Sequence, residues 1–118
     1  MQSVTSNAVA KANSYSTTEQ KTGGVWIDGK PIYRKVVDVG SMPNRVTKSV
    51  PHNILNLDNI INITGYARNG VEKLPLPFVS AAYNIEVYIN SGNIKIGSIQ
   101  DYSMYSGYVV LEYTKTTD

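Results

Sequence analysis

The sequence predicts an all-β fold, an antiparallel β-sandwich of about seven or eight short strands preceded by a short N-terminal helix. The first indication is residue type, because 13 Val, 11 Ile and 9 Thr stand against 5 Leu and 6 Ala. β-Branched side chains lose rotamer freedom in a helix but pack well on a pleated sheet. The second indication is the supply of turn residues, with 11 Asn, 11 Ser and 9 Gly. A chain of 118 residues is enough for one domain and too short for two separate cores.

The predicted helix covers the alanine-rich residues 3–12, where Val4 and Ala8 fall on the same side of a helix. A helix of this length is marginal alone in water, where about 12–15 residues are needed, so it requires a partner. The same helix from other subunits would supply one, with Val4 and Ala8 facing the three-fold axis of a homotrimer. The alternative is a frayed N-terminal tail. We therefore divide the chain into a helical stalk, residues 1–14, and a β-sandwich domain, residues 15–118.

The first hairpin is predicted around Asp28-Gly29, after a polar linker over residues 14–22. An Asp-Gly pair between two apolar segments is a strong hairpin signal, because a tight two-residue turn needs positive φ angles. Such a turn would place Val25 opposite Ile32.

The middle of the chain predicts a half-buried strand over residues 59–69, because apolar and polar side chains alternate there. The residues on the buried face of this strand become small at Gly65 and Ala67, which indicates close packing. Two prolines within residues 74–79 exclude a central strand. We expect that segment to cross extended at a sheet edge, with Phe78 turned inward.

The clearest hairpin surrounds Ser91-Gly92, where a two-residue turn and the apolar alternation require the same register. The expected cross-strand pairs are Ile89 with Ile94, Val87 with Ile96, and Tyr88 with Lys95. A polar loop over residues 98–107 then leads to the last strand, residues 108–114. That strand is expected to turn three side chains inward: Val109, Leu111 and Tyr113.

Composition excludes several classes of function. The absence of cysteine excludes a disulfide framework, a thiol nucleophile and a Cys-based zinc site. The single histidine, His52, excludes a multi-histidine metal site within one chain. A net charge of +2 is too weak and too mixed to indicate nucleic acid as the main partner. No apolar run approaches the roughly 18–20 residues of a membrane span, so membrane insertion is not predicted.

We predict a non-enzymatic protein without cofactor or metal, because the chain has neither a phosphate-binding Gly-rich loop nor a Gly-x-Ser-x-Gly motif. His52 is interpreted as a loop histidine rather than a general base. A carboxylate pair of the glycosidase type stays open, since several acidic side chains could meet in space: Asp28, Asp38, Asp58, Glu72, Glu86, Asp101 and Glu112.

Tyrosine is the remaining signal, with nine in the chain. A tyrosine ring can stack on a sugar while its hydroxyl makes polar contacts. Tyr102 and Tyr105 lie in the polar loop with few aliphatic neighbours, and loops on rigid strands often carry binding residues. We therefore predict a ligand-binding site at Tyr102, Tyr105 and Asp101. Packing of the two rings is the alternative.

Several segments together form a recognisable signature: VTSNAV (4–9), YSTTEQ (15–20), WIDGKPIYRK (26–35), LPFV (76–79), NIKI (93–96) and YVVLEYTK (108–115). On these segments the chain resembles the C-terminal domain of tail-fibre, baseplate or minor structural proteins of tailed phages and prophages, especially those of gut bacteria. The likeness covers nearly the whole length. The segments at 26–31 and 111–115 are its most specific parts.

The resemblance implies a virion protein, assembled in the cytoplasm of the host bacterium as a homotrimer and placed at the distal end of a longer fibre. It implies receptor binding to a bacterial surface glycan or protein, and it supplies no catalytic motif. Two other functions remain open at this point. One is a trimerisation cap that ends the fibre without adhesion, and the weaker one is a polysaccharide depolymerase.

Overall fold

The structure is a computed structural model that describes residues 14–117. The predicted N-terminal helix, its trimer contacts Val4 and Ala8, and almost all of the predicted stalk therefore lie outside the described residues. The described chain forms nine strands: β1 (Gln20–Val25), β2 (Pro31–Ser41), β3 (Thr47–Pro51), β4 (Leu57–Arg68), β5 (Lys73–Pro75), β6 (Phe78–Val79), β7 (Asn84–Asn90), β8 (Asn93–Ser98) and β9 (Ser106–Lys115).

The nine strands form two antiparallel sheets, which confirms the all-β class. One sheet has five strands in the order β1-β2-β9-β4-β5, and the other has four in the order β3-β8-β7-β6. The chain passes between the sheets at the β2–β3, β3–β4, β5–β6 and β8–β9 connections. Within the described residues, no helix is long and apolar enough to cross a lipid bilayer.

One hydrophobic core draws on the inner faces of both sheets. The alternation expected in the last strand is confirmed, because Val109, Leu111 and Tyr113 of β9 are completely buried. Ile94 and Ile96 of β8 are equally buried in the other sheet. Burying an aliphatic side chain of this size stabilises a fold by about 1.5–3 kcal/mol, so these strands hold the domain together.

The β7–β8 hairpin has the register that its sequence predicts. Its pairs include Ile89 with Ile94, Val87 with Ile96, and Tyr88 with Lys95. The turn and the apolar alternation require one alignment, because a slip by one residue would move every isoleucine from the core to solvent.

The register predicted for the first hairpin is wrong, because Val25 lies opposite Pro31 and not Ile32. The loop has three residues instead of two. The Gly29 N–H donates to the carbonyl of Trp26, and the Trp26 N–H donates to the carbonyl of Lys30, both at 2.9 Å. Gly29 has a φ of 85°, so the glycine serves a type I turn followed by a bulge rather than a two-residue turn.

The predicted linker over residues 14–22 is also corrected, because β1 begins at Gln20. Gln20 pairs with Arg34 and Lys21 pairs with Tyr33 at the edge of the five-stranded sheet. β1 is mostly polar and exposed, so it lacks the apolar alternation by which the other strands can be recognised.

The close packing expected at Gly65 is confirmed where β4 meets β9. A Cβ atom at Gly65 would lie 2.2 Å from the carbonyl oxygen of Tyr108, and one at Gly107 would lie 1.8 Å from that of Tyr66. Neither position can accept a side chain unless the two backbones separate.

The proline-containing segment lies at sheet edges, as expected. β5 is the edge strand of the five-stranded sheet and β6 is the edge strand of the other. The buried Leu76 lies between them, and its N–H donates to the carbonyl of Gly65 at 3.0 Å. This crossing carries the chain from one sheet to the other and turns Leu74 and Phe78 toward the core.

Candidate functional site

An open pocket of about 300 Å³ lies where this crossing meets the β8–β9 loop. Its walls come from four places in the chain: the end of the β4–β5 turn and β5, the start of β6, the β6–β7 turn and the β8–β9 loop. The lining residues are Glu72, Leu74, Phe78, Tyr83, Tyr102 and Tyr105. We call this the aromatic pocket.

Three rings of the aromatic pocket pack edge to face. The ring centroids of Phe78 and Tyr102 are 6.4 Å apart with planes at 79°, and those of Tyr102 and Tyr105 are 5.5 Å apart at 64°. This is the arrangement that aromatic quadrupoles favour, so the rings support each other without a ligand.

Tyr102 is buried, with only 7% of the residue accessible, which favours the packing alternative for this ring. Its ring belongs to the hydrophobic core, and burial raises its pKa above the ordinary value for tyrosine. The sequence suggested a polar loop with nothing to cover the ring. Phe78, whose ring packs edge to face against Tyr102, comes from the sheet crossing 24 residues earlier in the sequence, which local spacing does not reveal.

The β8–β9 loop is held firmly at both of its tyrosines. The N–H of Tyr102 donates to the carbonyl of Pro43 at 3.0 Å, and the N–H of Met42 donates to the carbonyl of Tyr105 at 2.8 Å. The N–H of Tyr105 also donates to the carbonyl of Tyr102 at 2.9 Å. Tyr105 is half-buried, so one side of its ring packs while the rest faces the pocket.

Glu72 supplies the one formal charge among the lining residues. The phenol of Tyr105 donates a hydrogen bond to Glu72 Oε1, and this bond raises the pKa of Tyr105. A turn fixes the backbone position of Glu72, because Asn69 Oδ1 accepts hydrogen bonds from the N–H groups of Val71 and Glu72 at 3.0 and 2.8 Å. Both phenols of the β8–β9 loop therefore stay neutral at physiological pH beside an acidic residue.

Tyr83 is the most accessible ring of the pocket, with 55% of the residue exposed. The turn before β7 fixes the backbone of Tyr83. The Tyr83 N–H donates to Ser80 Oγ at 3.1 Å, and the Ser80 N–H donates to the Tyr83 carbonyl at 2.9 Å. Gln100 Nε2 donates to the carbonyl of Ala82 at 2.7 Å, which ties this turn to the β8–β9 loop.

Asp101 does not line the aromatic pocket. Its carboxylate accepts the N–H of Ser103 at 2.9 Å and the Ser103 hydroxyl at 2.6 Å. The Ser103 contacts lower the pKa of Asp101. Its backbone also bridges to Asn44. In this structure Asp101 shapes the loop that presents the two tyrosines, and its side chain is exposed.

The structure therefore brings Tyr102 and Tyr105 together with four pocket residues that the predicted site omits: Glu72, Leu74, Phe78 and Tyr83. The inward turn of Phe78 is predictable from its edge segment. Nothing in the local sequence places Glu72 or Tyr83 beside the β8–β9 loop, because strand order in the two sheets creates that contact. Within the described part of the chain, no His, Asp or Glu side chains converge in a group of three that would hold a metal ion.

A scan against protein-family models and searches of curated proteins and of solved structures found no match to this chain.

Proposed function

We propose that this chain is the receptor-binding tip domain of a phage tail fibre, a non-enzymatic virion protein that binds a bacterial surface glycan through the aromatic pocket. The sequence resemblance to tail-fibre C-terminal domains supports the virion location. We propose further that the two sheets are the layers of a β-sandwich, since residues from both contribute to one core.

The aromatic pocket is the observation that carries the binding proposal. Its volume of about 300 Å³ is at the lower end of the range for small-molecule sites, which suits a single sugar ring. Tyr83 and Tyr105 are partly exposed, and a tyrosine ring can stack on the C–H surface of a sugar. Glu72 beside them offers a charged acceptor for sugar hydroxyls.

The scaffold around the pocket supports the same proposal, because every wall is anchored. The β8–β9 loop is bonded to Met42 and Pro43, and the Tyr83 turn is bonded to Gln100. A site whose groups are already in place loses less conformational entropy on binding.

The test is binding of the fluorescently labelled protein to intact gut bacteria and to their isolated envelope fractions. We expect saturable binding that Tyr83→Ala weakens at least tenfold. Tyr88→Ala is the matched control, because Tyr88 is similarly exposed at 42% but lies in the β7–β8 hairpin away from the pocket lining. Absence of saturable binding to every envelope fraction would overturn the proposal.

A trimerisation cap is the second candidate function, and the outer face of the five-stranded sheet favours it. An open groove of about 560 Å³ lies there and is lined mainly by apolar surface. The residues lining the groove are Tyr15, Ser16, Thr17, Val36, Tyr66, Tyr108 and Val110. Tyr66 is 41% exposed and its ring lies against that of Tyr108, so the groove presents a contiguous aromatic surface of the kind that marks an interface.

A second copy of the chain is the occupant that the cap requires. Light scattering at micromolar concentration would then give a trimer, and Val110→Lys would dissociate it while leaving the β-rich circular dichroism spectrum intact. A monomeric wild-type protein would reject the cap.

A further inference from the structure

We propose that the aromatic pocket selects ligands that carry an organic ammonium cation, such as the amino group of an unacetylated amino sugar or the headgroup of choline. The inference rests on the proposed function and specifies the chemistry of its ligand. Rings on several sides and one carboxylate at the rim are the arrangement that a cation needs.

The aromatic rings of the pocket can attract a cation. Phe78, Tyr83, Tyr102 and Tyr105 converge on one cavity, and aromatic faces attract cations through the ring quadrupole. Tyr102 and Phe78 are fixed by packing, whereas Tyr83 remains 55% exposed. A ligand ammonium therefore meets rigid rings at the base of the pocket and an accessible ring at its side.

The charge distribution of the pocket also favours a cationic ligand. Glu72 is the one carboxylate of the lining, and the phenols of Tyr102 and Tyr105 have raised pKa values and stay neutral. The Tyr105 phenol engages Glu72 Oε1. Within the described residues Glu72 Oε2 makes no hydrogen bond, so it can accept one from a ligand N–H.

Neighbouring cations are turned away from the aromatic pocket. Lys73 follows Glu72 directly, but it lies with Arg68 and Tyr66 along a different groove of the surface. Alternation along β5 places Leu74 in the aromatic pocket and Lys73 on the opposite face. The protein carries a net charge of +2, yet this pocket is locally acidic, which disfavours anionic ligands.

The experiment is a titration of ¹⁵N-labelled protein followed by amide chemical shifts at fixed ionic strength. The probes are glucosamine, choline, glucose and N-acetylglucosamine, of which the first two are cations. We expect glucosamine or choline to shift the amides of Glu72, Tyr83 and Tyr105 and to bind at least tenfold more tightly than the two neutral sugars. Tighter binding of glucosamine would identify an amino sugar as the source of the cation, and tighter binding of choline a quaternary headgroup.

Glu72→Gln is the decisive variant, because it keeps the shape of the side chain and removes its charge. We expect it to abolish the tenfold preference for the cationic probes. Glu86→Gln is the matched control, since Glu86 is an exposed carboxylate on β7 outside the pocket lining. Failure of both glucosamine and choline to bind more tightly than the neutral sugars to the wild type, or an unchanged preference in Glu72→Gln, would overturn the inference.

The two proposals fail in different ways. Saturable binding to cells that neither glucosamine nor choline competes with would leave receptor binding in place and overturn the ammonium preference. Selective glucosamine or choline binding that Glu72→Gln abolishes, in a protein that binds no cell envelope, would uphold the preference and overturn the tip-domain function.

Discussion

The phenol of Tyr113 donates a hydrogen bond of 2.5 Å to Glu19, a residue that lies 94 positions earlier in the chain. Tyr113 is completely buried in β9, and Glu19 directly precedes β1. Lys115 Nζ donates to the other carboxylate oxygen of Glu19 at 2.8 Å. Burial and the bond to Glu19 raise the pKa of Tyr113, so the phenol remains a donor. These bonds join the start of the described sheet to its central strand.

This contact predicts a loss of stability in acid. Burial opposes ionisation of Glu19, but hydrogen bonds from Lys115 and Tyr113 outweigh it and leave the pKa of Glu19 below its ordinary value of 4.5. A lowered folded-state pKa means that ionised Glu19 stabilises the fold fully above pH 4.5. That contribution is lost as the pH falls through the lower pKa of the folded protein. Thermal unfolding measured between pH 7 and pH 3 should show the decrease.

Glu19→Gln isolates the contribution of this carboxylate. The amide can still accept from Tyr113, and Glu19 is partly exposed, so we expect a loss of about 1 kcal/mol at pH 7. The variant and the wild type should converge as the pH falls through the lowered folded-state pKa of Glu19, since Glu19 then loses its charge. A constant difference in unfolding temperature from pH 7 to pH 3 would contradict the assignment.

The pattern of apolar and polar residues was sufficient to predict inward side chains and strand register where one face of a strand is buried. Alternation predicted the inward side chains of β9 and the register of the β7–β8 hairpin, because any other alignment would expose isoleucines. Pattern failed at β1, a largely exposed edge strand that pairs with β2 through its backbone and has no buried apolar face. It also misjudged the Asp28-Gly29 turn, since the same glycine suits loops of two or three residues.

Only part of the candidate site could be predicted from the sequence, because the other residues reach it through the strand order of the two sheets. Tyr102 and Tyr105 share one loop, so sequence proximity identified them as a pair. Glu72 and Tyr83 reach them because β5 and β6 are edge strands of different sheets on the same side of the molecule. Strand order across two sheets depends on long-range contacts, and a single sequence does not encode it in any local window.

Stability measurements should separate the two kinds of tyrosine in the aromatic pocket. Tyr102→Ala removes a ring that is 7% exposed and packed against two other rings, so we expect a loss of about 3–5 kcal/mol. Tyr83→Ala removes a ring that is 55% exposed, and we expect a change below about 0.5 kcal/mol. Urea denaturation of both variants checks the difference. Equal losses would mean that Tyr83 is a packing residue and is unsuitable as a probe of binding.

Gly107→Ala should open the contact between β4 and β9. The new methyl group would lie 1.8 Å from the carbonyl oxygen of Tyr66, which is backbone and cannot rotate away. We expect a loss of about 3 kcal/mol, at the upper end for overpacked sites. Gly92→Ala is the control, because no atom lies within 4 Å of its Cβ position and the change should stay within about 0.5 kcal/mol. Similar stability of the two variants would show that β4 and β9 can separate freely.

His52→Ala should destabilise the turn between β3 and β4. His52 is 3% exposed, and its Nδ1 accepts the N–H of Ile54 at 3.0 Å. This assigns the proton to Nε2, which then donates to the carbonyl of Ser91 at 2.9 Å.

Both ring nitrogens are therefore bound to backbone, and the imidazole connects the β3–β4 turn to the β7–β8 turn. The alanine variant leaves the buried Ile54 N–H without its partner, at about 1–3 kcal/mol, whereas the exposed Ser91 carbonyl can turn to water. We expect a loss of about 2 kcal/mol by urea denaturation and faster hydrogen exchange at the Ile54 amide than at the Ile94 amide in the core. A loss below about 0.5 kcal/mol, with unchanged exchange at Ile54, would show that water replaces the ring and that the imidazole does not hold the two turns together.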